Sequence, residues 1–361
     1  MAKVVLEKLV KSYGDFEAVK GIDLALEDKE FVVLLGPSGC GKTTTLRCIA
    51  GLEQISAGKI LFDGQRVDHL DPVDRNIAMV FQFFALYPHL KARQIIAFPL
   101  RARKLPKKFI QEKVAWASEL FELTDILDKY VAGLTPGDKQ KIALARAIVR
   151  DPNVLLLDEP LSALDEQYRE EMRWQLGRVQ KELKVTTIYV THDQREAMSL
   201  ADRIVLMRDG VLVQQGPPDE IYQYPASVFS GYFIGSPGMN FFDASFDGTA
   251  FLLGKEKRRL AASAELSQKA QASTLRELII GIRPEYLAFS FQEPSTNACY
   301  LPVSIVSTEK IGHYLLFSFR IDEQIYQGMV NEQLKIEGRG FVSFKAQHVR
   351  LFEKTQGQVL N

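Results

Sequence analysis

The sequence is short of cysteine and tryptophan, with three and two in 361 residues, and it has no net charge, 45 Lys and Arg standing against 45 Asp and Glu. Cys40, Cys48 and Cys299 show no metal-ligand spacing and leave an odd thiol, which argues against a disulfide framework. The missing positive excess argues against a general nucleic-acid binder, which is normally basic. No uncharged apolar run approaches the ~20 residues that cross a bilayer, so no segment is expected to span a membrane alone. The first residues, Met1-Ala2-Lys3-Val4-Val5-Leu6-Glu7-Lys8, mix charge into the apolar positions and do not read as a signal peptide. Low-complexity segments and fixed-period repeats are lacking as well. What is there is ordinary for a globular, cytoplasmic chain: 46% hydrophobic and 25% charged residues. The length suits about two domains at ~150 residues each.

Hydrophobic patterning divides the chain. Short apolar runs at Ala2–Val10, Gly21–Leu26, Glu30–Leu35, Val154–Leu157 and Thr186–Thr191 alternate with helical stretches, the signature of an α/β domain with a largely parallel sheet. Residues 91–150 are helical in composition. From about Phe241 the pattern changes to short alternating runs: Phe241–Phe246, Leu278–Ile282, Tyr300–Val306, Tyr314–Ile321 and Phe341–Phe344. These predict an all-β module, with Gly235-Ser236-Pro237-Gly238 as the linker.

Gly36-Pro37-Ser38-Gly39-Cys40-Gly41-Lys42-Thr43, followed by Thr44, fits the Walker A pattern between a strand and a helix. Glycines let backbone N–H groups curl around phosphate oxygens, and the helix start adds its positive dipole end. Ser38, Gly39, Cys40, Gly41, Lys42, Thr43 and Thr44 are thus candidate ATP-binding residues, with Lys42 on the β- and γ-phosphates and the Thr43 hydroxyl on Mg²⁺. Cys40 reads as a small filler residue there. Val154-Leu155-Leu156-Leu157-Asp158-Glu159 is an apolar strand ending in two acids. Asp158 is placed to hold the metal shell, and Glu159, facing the other way, to polarise an attacking water as general base.

Taken together these motifs resemble the ATPase subunit of an ABC importer, over essentially the full length. The resemblance implies a P-loop NTPase cassette, a RecA-like core with a helical subdomain at about 84–150, ending near 235. An all-β, OB-like regulatory domain would follow over 236–361. Lys11-Ser12-Tyr13-Gly14 resembles the loop whose aromatic ring, here Tyr13, stacks on adenine. Val80-Phe81-Gln82 resembles the Q-loop, with Gln82 on Mg²⁺ or water, and Val190-Thr191-His192-Asp193 the switch histidine that meets the γ-phosphate. Ser162-Ala163-Leu164-Asp165 matches the D-loop, which crosses to the opposite subunit. Leu86, Tyr87, Pro88 and His89 lie where a permease would dock.

Gly281-Ile282-Arg283-Pro284-Glu285 and Gly235-Ser236-Pro237-Gly238-Met239-Asn240-Phe241 resemble the regulatory domain of maltose-type ATPases. They imply import of a sugar or a polyol such as glycerol or glycerol phosphate; polyamine and ferric-iron importers, or a regulatory subunit with little turnover, are the alternatives. Implied partners are transmembrane permease subunits, a second ATPase subunit and an external solute-binding protein, with no nucleic acid. The implied location is peripheral, on the cytoplasmic face of the inner (plasma) membrane.

One motif departs from the family. The cross-dimer signature Leu-Ser-Gly-Gly-Gln stands here as Leu134-Thr135-Pro136-Gly137-Asp138. Thr135 can cap the helix and supply a hydroxyl, and Gly137 is kept, but Pro136 removes an N–H donor and Asp138 adds a carboxylate. At ~6–8 Å and an effective dielectric of ~20, each charge pair with a polyphosphate would cost ~2–3 kcal/mol before screening. A chain with an intact Walker A, Glu159 and His192 but this signature suits an asymmetric dimer with a different ATPase subunit, a homodimer being the alternative.

Neutrality is itself a cancellation. Residues 91–150 hold thirteen basic and six acidic side chains, whereas 151–235 hold eight and fourteen. The positive excess therefore lies in the helical stretch, and the negative excess lies with Asp158 and Glu159.

Overall fold

In a computed structural model of the chain, the structure describes residues 2–254, 257–261, 264–272, 277–293, 299–331, 335–355 and 357–360. They form two compact units, Met1–Asp219 and Glu220–Asn361.

The first unit opens on an antiparallel hairpin. Strands β1 (Val4–Tyr13) and β2 (Phe16–Leu26) run in register from Val4 opposite Leu26 to Tyr13 opposite Phe16. Strand β3 (Phe31–Leu35) is buried at every position, as an apolar strand covered on both faces must be. A glycine loop leads into α1 (Lys42–Ala50), which stops at Gly51 in the left-handed region. Strands β4 (Ala57–Phe62) and β5 (Gln65–Arg66) then extend the hairpin into a four-stranded sheet, β2-β1-β4-β5.

Sequence pattern alone leads one to expect a single, mainly parallel sheet. The separate antiparallel sheet differs because β1 buries only one side: Val4, Leu6 and Leu9 are in the core while Glu7 and Lys8 meet solvent.

The chain continues through β6 (Ile77–Val80) and three helices, α2 (Ala92–Ala102), α3 (Lys107–Leu120) and α4 (Pro136–Ile148), which pack on one another within the expected helical stretch. It returns through β7 (Val154–Asp158), α5 (Glu166–Leu183), β8 (Thr186–Thr191), α6 (Gln194–Leu200), β9 (Arg203–Arg208) and β10 (Val211–Gly216). The main sheet has the order β10-β9-β3-β8-β7-β6, and only β10 runs antiparallel. Val32, Leu34, Leu46, Ile49, Leu156 and Val190 lie in the core between sheet and helices. Cys48 is buried among them, which pushes its thiol up to about 11.

Helices α7 (Pro218–Gln223) and α8 (Val228–Phe233) precede the β-rich part of the second unit. There β11 (Asn240–Phe246), β12 (Ala250–Leu253) and β13 (Arg258–Ala261) are followed by α9 (Ala264–Ala272), a helix that the alternating pattern does not predict. The remaining strands are β14 (Glu277–Ile282), β15 (Ala288–Ser290), β16 (Cys299–Ile311), β17 (Tyr314–Ile321), β18 (Gln324–Asn331), β19 (Arg339–Phe344) and β20 (Arg350–Glu353). They make two antiparallel sheets, β13-β12-β11-β14-β20 and β15-β19-β16-β17-β18, around a core that includes Phe251, Ile280, Phe317, Phe319 and Leu351.

Segment 220–235 belongs to this second unit, so the compact division falls ahead of the Gly235–Gly238 linker candidate. Arg283, only 1% exposed, supplies the reason. Its Nη1 donates to the carbonyls of Gly231 and Ile234, while Nε and Nη2 donate to the Tyr222 carbonyl at 3.2 and 2.7 Å. The guanidinium also lies 4.0 Å from the centre of the Tyr222 ring, whose hydroxyl donates to Glu285 at 2.7 Å.

Replacing Arg283 by Met strands these carbonyls without donors, each worth roughly 1 kcal/mol or more. Arg283→Met should therefore destabilise the second unit by about 3 kcal/mol. Denaturant unfolding followed by a reporter in 220–235 would check this, and an unchanged midpoint would contradict it.

Candidate functional site

Register builds the site. Leu35 of β3 lies opposite Thr191 of β8, Asp158 of β7 opposite Val190 of β8, and Val80 of β6 opposite Leu157 of β7. Parallel strands in register end together, so the loops after them leave the same edge of the sheet, where α/β proteins place their ligands. Residues 36–41, Gln82, Glu159 and His192 all follow those strand ends.

The loop from Gly36 to Gly41 is held close against its surroundings. A Cβ on Gly36 would stand 2.2 Å from the Met207 carbonyl oxygen, and one on Gly41, at φ 98°, would stand 2.5 Å from that of Ala18. No residue but glycine fits either place without moving backbone. Lys42 is buried, and its ammonium donates to the carbonyls of Gly36 and Pro37 at 2.8 and 2.9 Å. Ser38, Gly39, Gly41, Lys42, Thr43, Thr44, Tyr13 and Glu159 line one open cavity of about 310 Å³. Cys40 does not line it. Its thiol is buried under the loop, 3.7 Å from the Lys42 ammonium, and burial raises its pKa.

The two acids diverge from the end of β7. Asp158, buried, accepts a 2.9 Å hydrogen bond from the Thr43 hydroxyl. Burial pushes its carboxyl up from the ordinary range, against the pull of the Thr43 hydroxyl and the positive charge of Arg47. Glu159 takes up a left-handed backbone (φ 44°), which costs a non-glycine residue roughly 1 kcal/mol and turns its side chain toward the cavity. There Gln82 Nε2 donates to Glu159 Oε2 at 3.2 Å, and His192 Nδ1 lies 3.4 Å from Glu159 Oε1. Gln82, Glu159 and His192 thus form one cluster, and Thr43 and Asp158 another, on a single edge.

The remaining sequence candidates lie off this cavity. Thr135 caps α4: its Oγ1 accepts from the Asp138 N–H at 3.1 Å and donates to Asp138 Oδ2 at 2.7 Å, with Pro136 in the first helical position. Asp165 caps α5 through the Tyr168 N–H at 3.1 Å. Gly137 packs under the Tyr168 ring, whose Cδ1 would be 3.1 Å from a Cβ there. Tyr87, Pro88 and His89 are exposed and Leu86 half-buried; the Tyr87 ring lies 5.8 Å from that of Phe98, itself exposed.

Residues 19–162 match the family model for the ABC transporter, and residues 235–287 match that for the MalK OB fold domain. A trehalose import ATP-binding protein, SugC of Mycobacterium tuberculosis, is 42% identical over 94% of this chain and 87% of its own length. The trehalose/maltose import ATP-binding protein MalK of Thermococcus litoralis is 42% identical over the whole of both chains. Among solved structures, cbiO1 of Clostridium perfringens, part of the ABC transporter complex cbiONQ, aligns with TM-score 0.58 at 31% identity, covering 61% of this chain and 90% of that one. The chain belongs to the ABC transporter ATP-binding family. It is an ATPase coupled to transport, with an ABC cassette followed by a MalK-type OB-fold domain.

Three residues of this ABC ATPase escape a reading of motifs. Phe16 is 65% exposed and lines the cavity with Tyr13, its register partner across the hairpin turn. An aromatic residue facing Tyr13 across a two-residue turn is the signal that would have found it. Glu196 is buried on α6 and accepts from the hydroxyls of Tyr189 and Thr191 at 2.8 and 2.5 Å, bracing the strand end that carries His192. Burial raises the pKa of Glu196 and that of Tyr189.

Arg146 on α4 is half-buried and donates to the carbonyls of Ala85 and Phe84 at 2.6 and 3.2 Å, tying the helix that starts at the signature to the loop just beyond Gln82. Ala85 sits there at φ 49°, a conformation that the arginine helps to hold. Arg146→Ala should free this loop, worth about 1–3 kcal/mol of charge-assisted bonding. Hydrogen exchange of the amides of residues 83–89 should quicken accordingly; unchanged protection would refute the tie.

Proposed function

We propose that this chain binds ATP in the cavity beside Lys42 and hydrolyses it to power uptake of a sugar or polyol through a membrane permease. The observation that carries the reading is the pairing of Thr43 with Asp158 and of Glu159 with Gln82 and His192 on one sheet edge. Exposed rings at Tyr13 and Phe16 offer a stacking platform for the base. The N–H groups of the loop and of the first turn of α1, with the Lys42 ammonium, receive the phosphates. Glu159 accepts the proton of the attacking water or orients it, while His192 reaches from Glu159 toward the γ-phosphate.

The hydroxyl of Thr43 and the carboxylate of Asp158, 2.9 Å apart, are the hard oxygen donors that suit Mg²⁺, and with Gln82 they would hold it. When bound, that ion supplies charge neutralisation on the β- and γ-oxygens.

For the solute, the Gly235–Phe241 motif favours a carbohydrate or polyol over a polyamine or ferric iron, and the relatives' names favour a disaccharide over glycerol or glycerol phosphate. The residues around Tyr87, with exposed rings at Phe83, Tyr87 and Phe98, are the proposed docking face for the permease. No helix among the described residues is long and apolar enough to cross a membrane, so this reading places the chain peripherally on the cytoplasmic face, with an external solute-binding protein in the same system.

Glu159→Gln should lower kcat by about 10²–10⁴ while leaving ATP binding intact, and should abolish transport. Full turnover by that variant would remove Glu159 as the base.

We also propose that the partner ATPase subunit is a different chain. Support comes from the closed Thr135–Asp138 cap, which occupies the hydroxyl that would otherwise face the partner's nucleotide and sets a carboxylate beside it. The chain alone should then show weak, non-cooperative ATPase, rising severalfold when Pro136 and Asp138 are changed to Gly and Gln. Cooperative ATPase at full rate from a homodimer, unaffected by these changes, would overturn the asymmetric pairing.

A further inference from the structure

On the sheet β15-β19-β16-β17-β18, three neighbouring strands bring Arg320, Ser304 and Arg339 into one row. Ser304 of β16 pairs in register with Arg320 of β17 on one side and with Arg339 of β19 on the other. All three are exposed. Their sequence neighbours Val303, Phe319, Ile321 and Gly340 are buried, so the row stands on the outward face of the sheet. Two strand spacings separate the arginine backbones, about 10 Å, a gap that both long side chains can close over the serine hydroxyl.

Neither guanidinium is bonded or ion-paired to another described residue, whereas the more buried Arg75, Arg146, Arg203 and Arg283 are each satisfied by carbonyls or carboxylates. The row lines an open groove of about 470 Å³ in which, among the described residues, no acidic side chain takes part. Phe291, 57% exposed, Phe341 and Pro302 form its apolar side.

We propose that this groove binds a phosphate monoester. Two guanidiniums and a hydroxyl match a dianion with three peripheral oxygens, whereas one arginine alone saturates a carboxylate. The adjoining outward positions, Pro302, Phe341 and Ser318, are neutral, so the charge is a discrete pair and not the basic stripe that tracks a nucleic-acid backbone. The Phe291 and Phe341 wall would pack on the body of the ester. The site lies in the unit that follows the ATPase cassette and does not depend on how that cassette works.

The test is calorimetric titration of the full chain, with Mg²⁺-ADP saturating the phosphate loop so that it does not compete. The probes are inorganic phosphate and glucose 6-phosphate. Expected is saturable one-to-one binding that weakens at least tenfold, about 1.4 kcal/mol, on either Arg320→Gln or Arg339→Gln, and is largely lost in the double variant. Arg→Lys at either position should retain part of the affinity, and added salt should weaken binding.

Tighter binding of the ester than of inorganic phosphate would support recognition of its body, and equal binding would support recognition of the phosphate group alone. Both arginines are exposed and outside the ATP site, so basal ATPase should be unchanged and serves as the folding control. No saturable binding of either probe, or binding unaltered in the double variant, would overturn the proposal.

Discussion

Everything at the candidate ATP site depends on the parallel register of β6, β7, β8 and β3. Four apolar strands carry the chain to one edge and release it there: Asp158 closes β7, Gln82, Glu159 and His192 follow their strands within a residue or two, and the loop after β3 leads to Lys42 and Thr43. Burial of Val154, Leu155, Leu156 and Leu157, at ~1.5–3 kcal/mol per side chain, fixes the position of Asp158 and Glu159 more firmly than any hydrogen bond they make. A one-residue slip of β7 would exchange the faces of both acids. The site is therefore as rigid as the sheet core, and its chemistry is set by what happens in the first residue beyond each strand.

At that boundary the protein must keep carboxylates close together without leaving them unpaired. Asp158 is given to the Thr43 hydroxyl, Glu159 to Gln82 and His192, and Glu196 to Tyr189 and Thr191. The left-handed backbone at Glu159 turns it out of the line of β7, and the two acids meet different partners. Burial raises the pKa of Asp158 and of Glu196, which marks both as carboxylates held against their solvation preference by geometry. A cation at Thr43 and Asp158 would relieve the first of these; the second is met wholly by hydroxyls and acts on His192 only by bracing its strand.

How much of this was legible beforehand follows from distance along the chain. The Walker A loop, the paired acids, Gln82 and His192 are each local signals, a few residues at a strand end, and the sequence carries them intact. Phe16 needed the hairpin register that sets it opposite Tyr13. Arg146 and Arg283 needed tertiary structure, since their partners are carbonyls, which no side-chain pattern announces. The antiparallel sheet of β1, β2, β4 and β5 was hidden for another reason: apolar runs show that strands exist, but not which sheet they join. Helix α9 interrupts a β-rich region whose alternation dominates any window that contains it.

The altered signature can be judged by counting donors at the start of α4. Pro136 has no N–H. The N–H of Asp138 is taken by Thr135 Oγ1, and that of Lys139 by the Thr135 carbonyl. Gly137 alone among these positions keeps its N–H available, and the Tyr168 ring beside it leaves room for nothing larger than glycine without adjustment. A helix N-terminus attracts anions through its unsatisfied N–H groups as much as through its dipole. Here most of that capacity is spent internally, and the nearest carboxylate carries the wrong sign for a phosphate. The start of α4 is thus better built to stabilise its own helix than to grip a nucleotide held by another subunit. That is the physical ground for the asymmetric pairing proposed above.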